Sequence, residues 1–387
     1  MKTLEIFTGT GGLAKGLEMA GFEHATFVEF NKIACKSLCK NFGNKHVFCG
    51  DIKDFDLNSV DNVDIVAGGP PCQPFSLGGK HKANHDNRDM FPYAIRTIET
   101  LRPKAFVFEN VKGILRPNFA DYFEYILLRL SFPSNKLKIN EEWKEHLTTL
   151  RIMRDKKNVL PEYNVEYKLV NAADYGVPQT RERVFIVGFR ADLKINYSFP
   201  KQTHSEDRLL WELFVTNEYY KRHNLKAPKR NTSSIHIINR IDYIANKYGM
   251  FEPEYRPWKT VRDTLWNVPD PREQHGILDH IFRDGARAYP GHTGSEFDWP
   301  AKTLKAGGHG VPGGENMIRF SDGTVRYFTV FEAKKIQTFP DDFMVIGAWG
   351  EALRQIGNAV PVVLGEIMGR SIMNELSEYS QELRLAV

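Results

Sequence analysis

The sequence predicts an α/β fold built on a doubly wound, mostly parallel sheet, with a smaller, loop-rich second domain. Short, almost continuously apolar strands alternate with helices over residues 1–130, which is typical of parallel strands covered on both faces. This alternation stops near residue 191, and polar sequence rich in Pro and Gly continues to about residue 325. With 387 residues, the chain is long enough for two domains.

The apolar periodicity places each element of this fold. We predict strands at 3–7, 25–29, 47–48, 63–67, 105–108, 165–169 and 184–187. We predict helices at 13–20, 89–101 and 361–376, one more that follows the second strand and ends at 40, and one that begins after 329. A further surface helix is predicted within 131–160, because one helical face carries Ile139, Trp143, Leu147 and Leu150. We therefore assign 1–190 and 341–387 to one domain, and 191–340 to the second.

Composition and charge exclude several classes of protein. The chain is 42% hydrophobic and 26% charged, as in ordinary globular proteins, and no apolar run approaches the ~20 residues of a membrane span. Gly9, Gly11 and Gly12 interrupt the start of the chain where a signal peptide would be apolar, so we expect a cytoplasmic protein. Its four cysteines should then stay reduced, and their spacing predicts no metal site. A net charge of +4 is compatible with a polyanionic partner but does not require one.

A glycine-rich loop, Phe7-Thr8-Gly9-Thr10-Gly11-Gly12, follows the first strand and lets the backbone approach a ligand closely. Glu29 ends the second strand, where a carboxylate can bind ribose hydroxyls, and Asp51-Ile52 follows the third, where it can bind adenine. Either acid alone is more often a solvated surface group, but both at consecutive strand ends favour a nucleoside site. The loop is neither GxGxxG nor a phosphate-binding P-loop, so the adenosine of S-adenosylmethionine fits better than a dinucleotide.

A second motif, Gly68-Gly69-Pro70-Pro71-Cys72-Gln73-Pro74-Phe75-Ser76, follows the fourth strand. Its prolines exclude a regular helix and present Cys72 on a loop at the carboxyl end of the sheet, where α/β sites form. A lone cysteine is usually structural, but this setting favours a nucleophile. The strand ending in Glu109 and the segment Gln179–Arg183 bring a carboxylate and two arginines towards the same edge. Glu109 as a helix cap and the arginines as surface charges remain alternatives.

Taken in order, these motifs resemble the DNA (cytosine-5)-methyltransferase family over nearly the whole chain. The resemblance implies a Rossmann-like, S-adenosylmethionine-dependent methyltransferase domain and a target-recognition domain. The catalytic residues that it implies are Cys72, Glu109, Asn110, Arg181 and Arg183. The cofactor-binding residues that it implies are Phe7, Thr8, Gly9, Thr10, Gly11, Gly12, Glu29, Phe30, Asp51, Ile52, Pro71, Met90, Asn358, Ala359 and Val360. The DNA-binding residues are Gln73, Ser76, Lys80, Thr303 and Leu304.

The chain departs from the family pattern at a few positions. Glu5 stands where Asp is usual, and Thr8 stands where a smaller residue is common. In the helix after residue 329, the departures are Phe331, Lys334 and Lys335. We expect these differences to affect packing and support of the second domain rather than methyl transfer.

The mechanism implied by the resemblance begins with addition of the Cys72 thiolate to C6 of a flipped-out cytosine, which makes C5 nucleophilic. Glu109 would balance charge at N3, Arg183 would donate to O2, and Asn110 would position the loop. The methyl donor would be S-adenosylmethionine, and the product S-adenosylhomocysteine. The partner would be duplex DNA, bound by a functional monomer that serves as the modification enzyme of a restriction–modification system, with a cognate endonuclease encoded nearby.

Three alternatives remain open from the sequence. A transfer-RNA cytosine-5 methyltransferase would share the fold, although the size of the region at 191–325 favours DNA. A DNA-binding relative without catalysis is disfavoured by the presence of Cys72, Glu109 and Arg183. A nicotinamide-dependent oxidoreductase would explain the glycine loop but leaves Pro70-Pro71-Cys72 unexplained.

Overall fold

A computed structural model of the protein describes residues 1–71, 89–227, 235–305 and 316–385. The chain divides into two compact units. The sheet unit comprises Met1–Val170, Glu182–Pro200 and Asp342–Val387, and the second unit comprises Asn171–Arg181 and Lys201–Asp341. Some of the predicted site residues lie outside the described residues: Cys72, Gln73, Ser76 and Lys80. The functional roles of the predicted domains stay a prediction.

Strands and helices alternate through the first half of the chain. The strands are β1 (Lys2–Ile6), β2 (Glu23–Glu29), β3 (Val47–Cys49), β4 (Ile65–Gly68), β5 (Ala105–Val111), β6 (Tyr163–Asn171), β7 (Glu182–Arg190), β8 (His204–Ser205), β9 (Arg256–Pro257), β10 (Ser295–Glu296), β11 (Met317–Arg319) and β12 (Val325–Tyr327). The helices are α1 (Gly12–Met19), α2 (Lys32–Phe42), α3 (Phe91–Leu101), α4 (Ala120–Ser131), α5 (Trp143–Asp155), α6 (Glu206–Phe214), α7 (Glu218–Arg222), α8 (Ile235–Tyr248), α9 (Val261–Leu265), α10 (Val330–Ile336), α11 (Trp349–Asn358) and α12 (Val362–Leu385).

The central sheet of the described residues has seven strands in the order β3-β2-β1-β4-β5-β7-β6. The pairs from β3 through β5 are parallel, whereas β5 and β7 are antiparallel. The predicted α/β fold with a mostly parallel sheet is therefore confirmed. Because the first five strands run in one direction, their carboxyl ends share one edge, and the residues that follow each strand come together there.

Helices cover both faces of this sheet. Successive side chains of a strand point to opposite faces, and β2 shows both environments. Phe27 packs with Ala14 of α1 and Leu38 of α2, whereas Val28 belongs to a larger core cluster that includes Phe91 of α3. Burial on both faces explains why the strands are almost continuously apolar.

The helix predicted within 131–160 begins later than its apolar pattern indicates. Helix α5 starts at Trp143, where Glu145 accepts a hydrogen bond from the backbone N–H of Glu142 at 3.4 Å. Leu147 and Leu150 are buried as predicted, but Ile139 precedes the helix and is 93% exposed. Placing Ile139 on the same face was wrong, because the helix starts at this cap and the apolar spacing does not extend it upstream.

The second unit contains more helix than its loop-rich sequence predicts. Helices α6 to α9 fall in the region that we predicted to be rich in long loops. Their apolar residues form two small clusters, one around Leu209, Leu213 and Tyr219 and the other around Leu210, Trp211 and Ile244. In the described parts of the chain, no helix combines the length and apolar character needed to cross a bilayer.

Candidate active site

Glu29 is held at the end of β2 by two backbone groups. The N–H of Gly9 donates to Oε2 at 2.7 Å, and the N–H of Asn31 donates to Oε1 at 2.8 Å. Burial raises the pKa of Glu29, while these backbone hydrogen bonds oppose the rise. Each carboxylate oxygen keeps a second lone pair. The glycine loop thus presents a carboxylate of fixed orientation with acceptor capacity to spare.

Two glycines shape the loop between β1 and α1. Gly9 has a φ of +61° and would place a Cβ in open space, with nothing within 4 Å. A Cβ on Gly12 would instead lie 2.2 Å from the carbonyl oxygen of Val360 and 3.0 Å from the Cβ of Ala359. The structure therefore brings the predicted cofactor segment Asn358–Val360 against the glycine loop and leaves space on the side of Gly9.

Asp51 and Phe30 lie at the neighbouring strand ends. The N–H of Gly50 donates to the carbonyl of Glu29 at 3.0 Å, so the turn before Asp51 is tied to the end of β2. Oδ1 of Asp51 accepts from the N–H of Lys53 at 3.0 Å, and Ile52 is buried beside it. The ring of Phe30 is 74% exposed. Glu29, Phe30 and Asp51 thus lie at the ends of two neighbouring strands, at one edge of the sheet.

Glu5, under the glycine loop, is a polar residue that sequence reasoning had treated only as a departure from the family pattern. Its side chain is buried, and Oε2 has no hydrogen-bond partner among the described residues. Burial raises its pKa well above the usual value, and the charge of Glu29 adds to the rise. The hydroxyl of Thr8 donates to the carbonyl of Glu5 at 3.0 Å, which accounts for a polar residue at position 8.

A second carboxylate, Glu109, lies on β5 opposite the antiparallel strand β7. Residues Val111 and Arg183 are register partners in this pairing, and Nε of Arg183 lies 2.7 Å from Oε1 of Glu109. Both side chains are almost wholly buried. Burial lowers the pKa of Arg183, and the charge of Glu109 opposes that change. The structure thus brings together two of the five predicted catalytic residues, Glu109 and Arg183, as a buried ion pair.

Asn110 fixes the loop that leads into Cys72. Its Nδ2 donates to the carbonyl oxygen of Pro70 at 3.0 Å, and the N–H of Met90 donates to the carbonyl oxygen of Pro71 at 3.2 Å. A Cβ on Gly69 would lie 3.5 Å from Oε2 of Glu109. The last described residues before Cys72 are therefore packed against the end of β5.

The predicted residues of the second unit have structural contacts. Nη1 of Arg181 donates to the carbonyl of Leu304 at 3.3 Å, and the hydroxyl of Thr303 donates to the carbonyl of Thr180 at 2.8 Å. The N–H of Leu304 donates to Oε1 of Gln179 at 3.3 Å, and its side chain is 2% exposed. These contacts join 179–181 to 303–304, while the catalytic role of Arg181 and the DNA contacts of Thr303 and Leu304 stay predictions.

The described thiols, Cys35, Cys39 and Cys49, are free. Cys35 donates a hydrogen bond to the carbonyl oxygen of Glu29 at 3.3 Å. Burial raises its pKa, so it stays protonated near neutral pH and is a poor nucleophile. No group of three or more His, Cys, Asp or Glu within the described ranges could hold a metal ion.

Comparison with known proteins decides the family. The profile of the C-5 cytosine-specific DNA methylase family matches residues 1–133 and 142–374. The chain belongs to this family. It is 29% identical over 382 residues to the type II methyltransferase M.NgoMIV of Neisseria gonorrhoeae, covering 97% of this chain and 98% of that protein. It is 30% identical over 394 residues to M.NgoFVII of the same species, covering 99% and 89%.

A solved structure shares the fold of this DNA cytosine-5 methyltransferase. The crystal structure of the Schizosaccharomyces pombe Dnmt2 methyltransferase superposes with a TM-score of 0.56 at 16% identity, covering 97% of this chain and 99% of that one. The predicted family, fold and enzymatic activity are thereby confirmed. The enzyme acts on DNA and requires a methyl donor.

Proposed function

We propose that this methyltransferase transfers the methyl group of S-adenosylmethionine to C5 of a flipped-out cytosine in a specific duplex DNA sequence, through a covalent bond between Cys72 and C6. The observation that carries this proposal is the hydrogen bond from Asn110 to Pro70 beside the pair of Glu109 and Arg183. It holds the loop into Cys72 at the sheet edge where a buried carboxylate and a guanidinium already meet. The product of the donor is S-adenosylhomocysteine.

The residues around the glycine loop fit an adenosine-bearing donor. The open space at Gly9, the fixed carboxylate of Glu29 and the exposed ring of Phe30 supply a cradle, an acceptor for hydroxyls and an aromatic wall. Asp51 supplies a second acceptor for an exocyclic amine. When bound, the donor supplies an electrophilic methyl group on a positively charged sulfur. We infer that the segment Asn358–Val360, packed on Gly12, closes the other side of this site.

At the cytosine, the thiolate of Cys72 forms a bond to C6 and pushes electrons towards C5 and N3. Glu109 shares a proton with N3, which limits the charge that builds up on the ring. A guanidinium has five N–H donors, so Arg183 can hold Glu109 and still donate to O2. After C5 has gained the methyl carbon, its proton passes to water, and the electrons of that C–H bond restore the ring double bond and expel Cys72.

The biological setting follows from the relatives. Proteins similar to this chain over almost their full length are named type II methyltransferases, so we assign it as the modification enzyme of a restriction–modification system. In this proposal, it acts as a monomer on cytoplasmic duplex DNA. A cognate restriction endonuclease is encoded nearby, and residues 191–340 form the target-recognition domain.

The nucleophile is tested by Cys72→Ser, with Cys39→Ser as the matched control. We expect methyl transfer to duplex DNA to disappear in Cys72→Ser while DNA binding stays within about twofold, because a hydroxyl is a far weaker nucleophile than a thiolate. The control should keep wild-type activity. Duplex DNA carrying 5-fluorocytosine should form a covalent complex with the wild type and with Cys39→Ser but not with Cys72→Ser, since fluorine cannot leave as a proton. Wild-type activity in Cys72→Ser would refute the mechanism.

Substrate choice needs a separate measurement. Radiolabelled methyl incorporation should occur into duplex DNA and not into transfer RNA, and bisulfite sequencing of DNA from an expressing host would identify the modified cytosine. Methylation of transfer RNA alone would overturn the assignment of DNA as the physiological substrate.

A further inference from the structure

A cavity of about 520 Å³ lies within the second unit, built entirely from residues of that unit. Its walls come from the strands β8 and β9, the start of α9, and the segments around Pro178 and Thr338. Cavities of this size accommodate small ligands or part of a larger one. None of its residues belongs to the glycine loop or to the site around Glu109, so it requires a separate explanation.

Positive charge dominates the wall beside β9. Arg256 and Lys259 line the cavity, are exposed, and have no ion-pair partner among the described residues. Two further cations, Arg222 and Lys335, also line it. They are paired with acids, Arg222 with Glu212 at 2.8 Å and Lys335 with Asp341 at 2.7 Å. The cavity therefore offers two cations whose charge no group in the described part of the chain neutralises.

The acid in the cavity wall, Asp263, does not cancel this charge. Its Oδ2 accepts hydrogen bonds from the backbone N–H and the hydroxyl of Thr260, both at 2.8 Å. Its Oδ1 lies 2.8 Å from Nε2 of His223 and 3.6 Å from Nη2 of Arg222. Asp263 is thus engaged in capping α9 and in pairing with its own neighbours, which leaves Arg256 and Lys259 unopposed.

His204 also lines the cavity, and its pKa is affected by the positive charge there. It is the register partner of Arg256 in the pairing of β8 with β9, and its Nδ1 lies 2.8 Å from the hydroxyl of Thr203. Burial lowers the pKa of His204 to about 4, and the charges of Lys259 and Arg256 add to that decrease. The imidazole is therefore neutral near pH 7, and the excess positive charge remains on the two exposed cations.

Trp258 supplies a fixed aromatic wall between these cations. Its Nε1 donates to Oδ1 of Asp174 at 2.9 Å, and its backbone N–H donates to the carbonyl of Ser205 at 3.2 Å. An aromatic ring flanked by unpaired cations is the combination that binds phosphate-bearing groups, because the cations attract the phosphate and the ring packs against the sugar or base.

We propose that this cavity binds a phosphate group, with Arg256 and Lys259 as its charged contacts and Trp258 as its apolar wall. The phosphate can come from the backbone of DNA or from a free nucleotide. The first source rests on the proposed function, since it makes the cavity a contact with the substrate that lies apart from the cytosine. The second does not depend on methyl transfer.

The double variant Arg256→Gln/Lys259→Gln tests the proposal, with Lys226→Gln/Arg319→Gln as a control. The control removes the same charge at exposed positions of the second unit that do not line the cavity. DNA affinity is measured against salt concentration with duplexes that contain or lack the methylation site. Loss of one bound phosphate lowers the slope of log affinity against log salt by about 0.9, and we expect this decrease on both duplexes for the cavity variant only.

Free phosphate is tested by titrating the full-length protein with thymidine 5′-monophosphate and with inorganic phosphate, followed by ³¹P line broadening. A lower salt slope in the cavity variant alone identifies DNA as the source, and loss of ³¹P broadening alone identifies a free ligand. If the cavity and control variants agree in both assays, the proposal is overturned. An enzyme that binds phosphate here but methylates no DNA would contradict only the proposed function.

Discussion

Two carboxylates of the sheet unit, Glu29 at the end of β2 and Glu109 near the end of β5, belong to one sheet but are held in different ways. Glu29 accepts from two backbone N–H groups, those of Gly9 and Asn31. Glu109 is held by one side chain, the guanidinium of Arg183. Backbone donors cannot move without refolding the loop, whereas a side-chain partner can share its donors with a substrate.

This difference indicates a division of tasks along the sheet edge. In the proposed mechanism, the end of β2 keeps a permanent shape that binds the donor in one orientation, whereas the end of β5 holds charges that the reacting cytosine redistributes. Substitutions at the end of β2 should therefore affect binding of the donor, and substitutions at the end of β5 should affect the chemical step.

The largest effect is expected at Glu109. Glu109→Gln removes the carboxyl group to which the proposed mechanism assigns proton sharing with the cytosine, and we expect kcat to fall about 10²- to 10⁴-fold with donor affinity nearly unchanged. Glu182→Gln, at an exposed position paired with Lys112, serves as the control and should be close to wild type. The measurement is single-turnover methyl transfer with isothermal titration of the donor. If Glu109→Gln instead weakened donor binding and left kcat unchanged, the assignment of Glu109 to the chemical step would be wrong.

Glu29→Gln should weaken donor binding. An amide presents one neutral acceptor oxygen in place of two charged ones, so the proposed hydrogen bond from a hydroxyl of the donor to the carboxylate of Glu29 is lost. Hydrogen bonds to charged groups contribute ~1.5–3 kcal/mol, so we expect donor affinity to fall roughly 10- to 150-fold, as measured by calorimetry. Glu23→Gln, at an exposed position on the same strand, should have no effect. Unchanged donor affinity in Glu29→Gln would show that Glu29 does not bind the donor.

Gly12→Ala tests how rigid the backbone-held end is. The new methyl group would lie 2.2 Å from the carbonyl of Val360, so the segment after α11 must shift. Overpacking of this kind costs about 1–3 kcal/mol, and we expect a lower Tm together with weaker donor binding. Gly276→Ala, where a Cβ would meet nothing within 4 Å, is the control. Equal Tm values for the two variants would show that the glycine loop accommodates the added methyl group without loss of stability.

The smallest effect is a pH dependence at Glu5. Because its pKa is raised in the folded state, its contribution to stability is fully present below the unfolded pKa and is lost as pH rises through the folded pKa. The loss amounts to at most about 1.4 kcal/mol per pH unit. Glu5→Gln does not titrate, so urea unfolding at a series of pH values should show wild type losing stability relative to the variant as pH rises. Parallel pH profiles would contradict this assignment.

Much of the sheet unit could be predicted because its strands and turns depend on residues that are close together in the sequence. Apolar runs and glycine turns place β1 to β5 within a few residues, and they put Glu29 and Asp51 at or just after strand ends and Glu109 near the end of β5. The start of α5 was misplaced because a capping contact outweighs apolar spacing. Helices α6 to α9 of the second unit were not predicted, because they lie between polar segments rich in Pro and Gly.

By itself, the sequence determined the family, the alternation of strands and helices and the edge where reactive groups collect. Only the tertiary structure decided which side chains meet: Arg183 with Glu109 through the antiparallel register of β7, Asn110 with Pro70, and Glu5 buried without a partner for Oε2 among the described residues. The physical reason is that strand and helix patterns repeat along the chain. Pairings between distant residues depend instead on register and on packing summed over the whole unit.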